Sequence, residues 1–258
     1  KPVAVSGNSE RSVVSTASYE ARLFGIHSAM PVFQAKKKCE QLIIVPGSMR
    51  KYKADSKKIM EIISHFSPLM EQVSIDEAYV DIKGCERLFG SPEKIAFAIK
   101  DKIKNDLSLT CSIGIAPIKF LAKIASDMNK PDGLTHIKEH QVKNFIFTLP
   151  IKKVAGIGQS AMKKMEILQI KTLGDVKKYP LPILTQKFGK LGQKLLALSN
   201  GIDSSRVTTN YIRKSISSET TLSKDIFHFE TIKQVILDRS QSVGRDLRKK
   251  NLVCENVF

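Results

Sequence analysis

The chain has 258 residues, enough for two domains or slightly more at ~100–200 residues each. A hydrophobic content of 42% with 26% charged residues excludes wholesale disorder, and no apolar run approaches the ~20 residues that cross a bilayer. Lys and Arg outnumber Asp and Glu by 42 to 25, a formal +17, which favours a polyanionic partner, nucleic acid before an acidic membrane surface. Lysines dominate that total (33 against 9 arginines), which suits generic phosphate contacts better than bidentate base reading. Trp is absent, so a base-stacking platform has little support. The start, KPVAVSGNSE, has no apolar stretch of the signal-peptide kind. Cys39, Cys85, Cys111 and Cys254 are scattered without C-x-x-C spacing and read as reduced thiols of a cytoplasmic protein.

In chain order, KPVAVSG and RSVVSTAS read as β-rich segments joined by a Gly-Asn turn. YEARLFG and MPVFQAKKKCE have helical spacing, with Pro31 near a helix start, and QLIIVP predicts a short buried strand ending at Pro46. RKYKADSKKIMEIISHF is the clearest amphipathic helix, with Ile59, Ile62, Ile63 and Phe66 opposite its lysines. MEQVSI and AYVDI have strand character on either side of a two-residue acidic pair. SPEKIAFAIKDKIKNDL is a helix capped by Ser91 with Pro92 in its first turn. LTCSIGIA is a strand and PIKFLAKIASDMNK a helix, completing a small α/β layer with an antiparallel element at its centre. From about residue 138 short helices punctuated by Gly and Pro predict a compact all-helical domain. SSRVTTNYIRKSISSETT reads as a linker, and the tail as a strand, a helix over FETIKQVILDRSQSVGRDLRKK and the start of a strand in NLVCENVF.

Asp76 and Glu77 are the first chemical candidates. On a continuous strand they would face opposite sides, but at the tip of a tight hairpin both can face one cation such as Mg²⁺; an ordinary solvated acidic turn is the alternative. Lys130, at a helix end before Pro131-Asp132-Gly133, suits phosphate neutralisation or is a solvated terminal lysine. Tyr19 and Arg22, three apart on one helical face, can grip a triphosphate or pack on each other. In VAGIG (154–158), Gly156 and Gly158 let backbone N–H groups approach a phosphate, and Lys163 and Lys164 strengthen that reading over a plain helix connection. FGKLGQK, with Gly189, Lys190 and Gly192, is a second candidate turn. His136 and His140 read as surface residues with no metal.

Together these residues resemble the Y-family (translesion) DNA polymerases, most closely the bacterial DNA polymerase IV branch. The carrying segments are STASYEARLFGIHSAMP (15–31), SIDEAYVDI (74–82), SIGIAPIKFLAKIASDMNKPDG (112–133), VAGIG (154–158) and RKSISSETT (213–221). The resemblance implies an α+β right-hand polymerase. Its parts would be small fingers (1–48), a ferredoxin-like palm (49–137), an all-helical thumb with helix-hairpin-helix (138–204), a linker (205–213) and a truncated α/β little finger (214–258). It implies catalytic, metal-binding roles for Asp76 and Glu77 with two Mg²⁺ ions. Thr16, Tyr19, Arg22, Ser74 and Lys130 would bind the incoming dNTP. The glycine turns with Lys163, Lys164, Lys190, Arg213 and Lys214 would bind primer-template DNA. The activity implied is error-prone translesion synthesis by a cytoplasmic monomer that binds no membrane.

The chain departs from the family pattern twice. Nothing matches the family's first strand, with its further metal-binding Asp and paired aromatics, and the little finger stops near half its usual length, without the tail that would reach a sliding clamp. A fragment of such a polymerase is therefore expected, one that by itself synthesises little or no DNA. Asp81 does not replace the missing Asp, because it lies down the second strand. A non-catalytic DNA-binding protein is the second reading and a nucleotide cyclase the third; the glycine turn in the helical region argues against the cyclase.

Overall fold

The computed structural model describes residues 1–7, 9, 11–209 and 213–257. The chain divides into two compact units, 1–51 with 212–258, and 52–211.

In the first unit, strand β1 (Val3–Ser6) pairs antiparallel with β2 (Val14–Ala17) and parallel with β3 (Ile43–Pro46), in the order β2-β1-β3. Helices α1 (Tyr19–Leu23) and α2 (Val32–Lys38) stand between β2 and β3. Ser18 joins strand to helix: its hydroxyl accepts from the N–H of Val3 at 3.1 Å and from Ala21, in the first turn of α1, at 3.2 Å. Ala4, Ala17, Ala21 and Ala35 pack with the larger Val14, Ile26, Met30 and Leu42 to form the core of this unit. β3 departs from the buried strand expected: among the described residues it pairs on one side, with β1, and Ile43 is 41% exposed. The Gly-Asn turn includes Asn8, which lies outside the described residues.

The second unit opens on α3 (Met49–Ser64), which begins just before the division and buries Met60 and Ile62. Strands β4 (Met70–Gln72) and β5 (Ala78–Val80) form an antiparallel hairpin, with Met70 opposite Val80 and Gln72 opposite Ala78. After α4 (Glu86–Phe89), α5 (Pro92–Leu107) starts where Ser91 accepts from the N–H of Lys94. Its Ile95, Ile99 and Ile103 recur at helical spacing and pack with Ile62 and Phe66 of the α3 region. β6 (Ile113–Ile115), α6 (Lys119–Met128) and β7 (Leu134–His136) make a β-α-β unit with parallel strands, Ile113 opposite Leu134. β7 was not expected; three residues are too few for an alternating pattern to register.

The helical region follows as α7 (Val142–Thr148), α8 (Gln159–Ile167), α9 (Leu181–Phe188) and α10 (Lys190–Ser199), with short 3₁₀ segments before α7, α8 and α9. Its core takes Leu121, Ile124 and Ala125 from α6 alongside Met165, Leu173, Leu184 and Leu195. One face of α6 is thereby anchored in the helical core.

The tail holds one helix, α11 (Phe229–Lys249). The strands expected on either side of it are absent among the described residues. Segment 222–225 meets its unit through a side chain instead, Arg11 bonding Asp225 Oδ1 at 2.5 Å, and a strand without a ladder partner has nothing to satisfy its backbone.

Gly192 is buried between α9 and α10, where an added Cβ would lie 2.2 Å from the Leu184 carbonyl oxygen. Gly192→Ala is therefore expected to lower unfolding stability by about 1–3 kcal/mol. Gly158→Ala, which meets open space, is expected to change it by under about 1 kcal/mol. Chemical denaturation of both variants checks the contrast.

Candidate functional site

The acidic pair sits on the β4–β5 connection, which runs over residues 73–77 rather than closing in two. The Glu77 carbonyl accepts from the N–H of Val73 at 2.9 Å and of Ser74 at 3.2 Å, closing the loop at its base. Ser74 organises the tip: its hydroxyl donates to Asp76 Oδ1 at 2.5 Å and accepts from the Asp76 N–H at 3.2 Å. Gln72 donates to the Ser74 carbonyl at 3.0 Å. Asp76 is exposed and Glu77 half-exposed, so two carboxylates project from a braced loop. Asp81 is spent elsewhere, its carboxylate accepting from the Lys83 N–H at 3.0 Å in the turn after β5.

Helix α6 faces this hairpin with cations. Lys119 bonds Glu71 Oε2 at 2.5 Å and lies 4.7 Å from the centre of the Tyr79 ring. One turn on, Lys123 bonds Glu77 Oε1 at 2.5 Å and approaches Asp127 at 3.5 Å. Asp127 also holds Lys130 at 2.5 Å, so the predicted Lys130, just past the end of α6, is paired with an acid in that helix's last turn. Burial would lower the Lys123 ammonium, but the Glu77 hydrogen bond and the Asp127 charge outweigh it and hold it above its ordinary value. Burial likewise opposes Asp127, whose carboxyl Lys130 and Lys123 nevertheless hold below the usual range. Lys119 and Lys123 escaped the sequence reading. Their i,i+4 spacing, shared by Lys123 and Asp127, was the available signal, while their hairpin partners lie 46 to 48 residues away.

In the first unit, the Arg22 guanidinium lies 5.5 Å from the Tyr19 ring centre and its Nε donates to the Ala17 carbonyl at 3.0 Å. The two residues therefore pack on each other, and both side chains stay exposed. Thr16 is exposed on β2 opposite Val5. Ser74, Asp76, Glu77 and Lys130 belong to the second unit.

At the glycine turn, Gly156 adopts φ +94°, open to glycine at little cost, and Gly158 precedes α8 without a side chain to cap its first N–H groups. Lys163 is exposed, whereas Lys164 donates to the Lys187 carbonyl of α9 at 3.1 Å. Gly189 and Lys190 are exposed at the α9–α10 junction; Gly192 is corrected to a packing residue, because burial against Leu184 removes its backbone from any ligand. Arg213 and Lys214 are exposed. His136 has an acid partner the sequence did not reveal: its Nδ1 lies 2.6 Å from Glu93 Oε1.

Among the described residues no three His, Cys, Asp or Glu gather as a metal group. Two hard carboxylates on an exposed loop nevertheless fit a cation such as Mg²⁺, which takes one or two protein carboxylates and completes its shell with phosphate and water. No helix among the described residues is long and apolar enough to cross a membrane.

Comparison with known proteins gives the same picture along the chain. Residues 1–127 match the impB/mucB/samB family, 152–203 the thumb domain of DNA polymerase-iota, and 213–258 the impB/mucB/samB family C-terminal domain. A Y-family DNA polymerase chimera of Dbh and Dpo4 superposes with a TM-score of 0.86 at 32% identity, over 95% of this chain and 73% of that one. An insertion ternary complex of Dbh DNA polymerase gives 0.74 at 32% identity, over 80% of this chain and 62% of that one. The acidic hairpin therefore sits in the fold of a DNA-directed DNA polymerase, and the chain belongs to the Y-family. Its similarity extends to a particular member, the DNA polymerase IV of Shewanella frigidimarina (strain NCIMB 400), 45% identical over 250 residues, 96% of this chain and 70% of that protein. This coverage agrees with the expectation of a chain that spans part of such a polymerase. Y-family polymerases are nucleotidyltransferases that generally use divalent metals.

The brace beneath the hairpin has a pH signature. Burial would raise the Glu71 carboxyl from 4.5, but the Lys119 ammonium and the N–H and hydroxyl of Thr208 outweigh it and hold it lower. A depressed carboxyl stabilises the fold above its unfolded value and loses that contribution as pH falls through the folded one. The stability gap between the parent and Glu71→Gln is expected to be full at about pH 6 and to close as pH falls below ~4.5. Thermal unfolding across that range checks it.

Proposed function

We propose that the chain carries the catalytic and DNA-gripping parts of an error-prone translesion DNA polymerase that joins dNTPs to a primer 3′-OH. We read residues 1–48 as fingers, 49–137 as palm, 138–204 as thumb, 205–213 as linker and 214–258 as part of the little finger. The observation that carries the reading is the braced hairpin: Asp76 tied to Ser74 and Glu77 to Lys123, on a loop closed at its base.

Asp76 and Glu77 would hold two Mg²⁺ ions, which when bound supply charge neutralisation at the triphosphate and activation of the primer hydroxyl. The chain's own residues do the positioning. Ser74 fixes the Asp76 carboxylate through a hydroxyl hydrogen bond and leaves Oδ2 for a ligand. In the first unit, Tyr19 and Arg22 offer a phenol and a guanidinium to phosphate oxygens, and Thr16 on β2 adds a hydroxyl; in the second unit, Lys130 offers an ammonium for phosphate. The uncapped start of α8 presents backbone N–H groups, and with the Gly189 turn, Lys163, Lys190, Arg213 and Lys214 it suits sequence-independent contact with DNA phosphates. The surplus of positive charge supports primer-template DNA as the partner, with binding that weakens steeply as salt rises. A soluble monomer in the cytoplasm, meeting a sliding clamp through segments outside this chain, completes the proposal.

The test is primer extension with Mg²⁺ and all four dNTPs on undamaged and abasic templates. The remaining segments of the Shewanella polymerase would be supplied around residues 1–258. Synthesis is expected on both templates, falling by at least about 10²-fold in Asp76→Ala and in Glu77→Ala. DNA binding without synthesis, indifferent to both substitutions, would favour the non-catalytic reading.

A further inference from the structure

Lys123 is unusual among the site's cations because it stands between two acids. Its ammonium is 2.5 Å from Glu77 Oε1 and 3.5 Å from Asp127 Oδ2, while Lys130 takes the other oxygen of Asp127. Asp127 therefore keeps an oxygen turned toward Lys123. The i,i+4 spacing on α6 puts Asp127 within reach of Lys123, and the β4–β5 connection brings Glu77 to the same ammonium, so both acids contact one side chain. Lys123, Glu77 and Asp127 have side chains 33%, 43% and 48% exposed, so packing does not lock the lysine to one partner.

A cation that binds Glu77 meets the Lys123 ammonium already on that carboxylate. Like charges at contact distance repel, and a divalent ion repels twice as strongly as a monovalent one. Among the described residues, the ammonium then turns to Asp127, one helical turn away.

We propose that Lys123 is a positioning residue shared by Glu77 and Asp127: it holds the Glu77 carboxylate in the free protein and shifts to Asp127 when a divalent cation binds. The inference rests on the reading of Asp76 and Glu77 as metal ligands. Lys123 thus serves as an internal counter-ion that keeps Glu77 in place without metal, and it weakens metal binding by competing for the same carboxylate. Asp127 limits that competition by offering the ammonium a second partner.

The test is Mn²⁺ binding to the 258-residue chain without DNA or nucleotide, read from the electron paramagnetic resonance signal of free Mn²⁺. Glu77→Gln is expected to weaken binding. Lys123→Gln is expected to tighten it by about threefold or more, the scale on which partly exposed ion pairs contribute. Asp127→Asn is expected to weaken it, because Lys123 then stays on Glu77, while Lys123→Arg keeps the charge and stays near the parent. Damage to the fold would weaken binding in Lys123→Gln and Asp127→Asn alike, so opposite signs report the shared lysine. Unchanged or weaker binding in Lys123→Gln, with Glu77→Gln still deficient, overturns this inference and leaves the metal site standing. No saturable binding by the parent, or none lost in Glu77→Gln, overturns the site reading and this inference with it.

Discussion

Two lysines one turn apart on α6 hold the acidic hairpin, Lys119 on Glu71 and Lys123 on Glu77. Exposed carboxylates on a loop repel each other and move; a cation fixed to a rigid helix counters both tendencies. The helix is rigid because its other face, Leu121, Ile124 and Ala125, is buried in the core it shares with α7–α10. The same helix reaches further through Phe120, whose N–H donates to Asp203 at 3.1 Å, and Lys119, which donates to the Arg206 carbonyl at 2.9 Å. Thr208 closes the arrangement on Glu71 at 2.8 Å. The segment read as a linker is thus tied to the strand that leads into the acidic loop.

The partial burial of the Glu71–Lys119 pair matters more than its length. Side chains 22% and 15% exposed are screened less than surface pairs, and removing one partner strands the other charge where solvent reaches it poorly. Lys100 plays a related part under β6 and β7: it joins Asp132 and the Cys111 carbonyl, and so ties the turn after Lys130 to the strand start. Positive charge in this protein therefore divides into a paired set that builds the palm-like layer and an exposed set that remains for a polyanion.

Much of this was legible in the sequence, for reasons that differ by residue. Asp76 and Glu77 stood out because two acids interrupt an apolar run in a basic chain, and the three-residue spacing of Tyr19 and Arg22 on one helical face is realised in their contact. Long periodic helices such as α5 and the capping Ser91 declared themselves locally. What stayed hidden depends on pairing between distant segments. β3 looked buried because its residues are apolar, yet exposure is set by its having one neighbour. The partners of Lys119, Lys123 and His136 lie 43 to 48 residues away, and Thr208 meets Glu71 across 137. Gly192 read as a turn glycine because sequence does not distinguish a tight turn from a close helix crossing.

If the lysine pair on α6 holds the acidic loop, its removal should loosen that loop before anything else. The direct measurement is amide hydrogen exchange in a chain carrying both Lys119→Met and Lys123→Met, followed at Val73 and Ser74, whose N–H groups bond the Glu77 carbonyl. Faster exchange across 70–80, with the amides of α9 and α10 still protected, is the result this account predicts. Unchanged protection at Val73 and Ser74 would contradict it and place the rigidity of the hairpin in its own backbone.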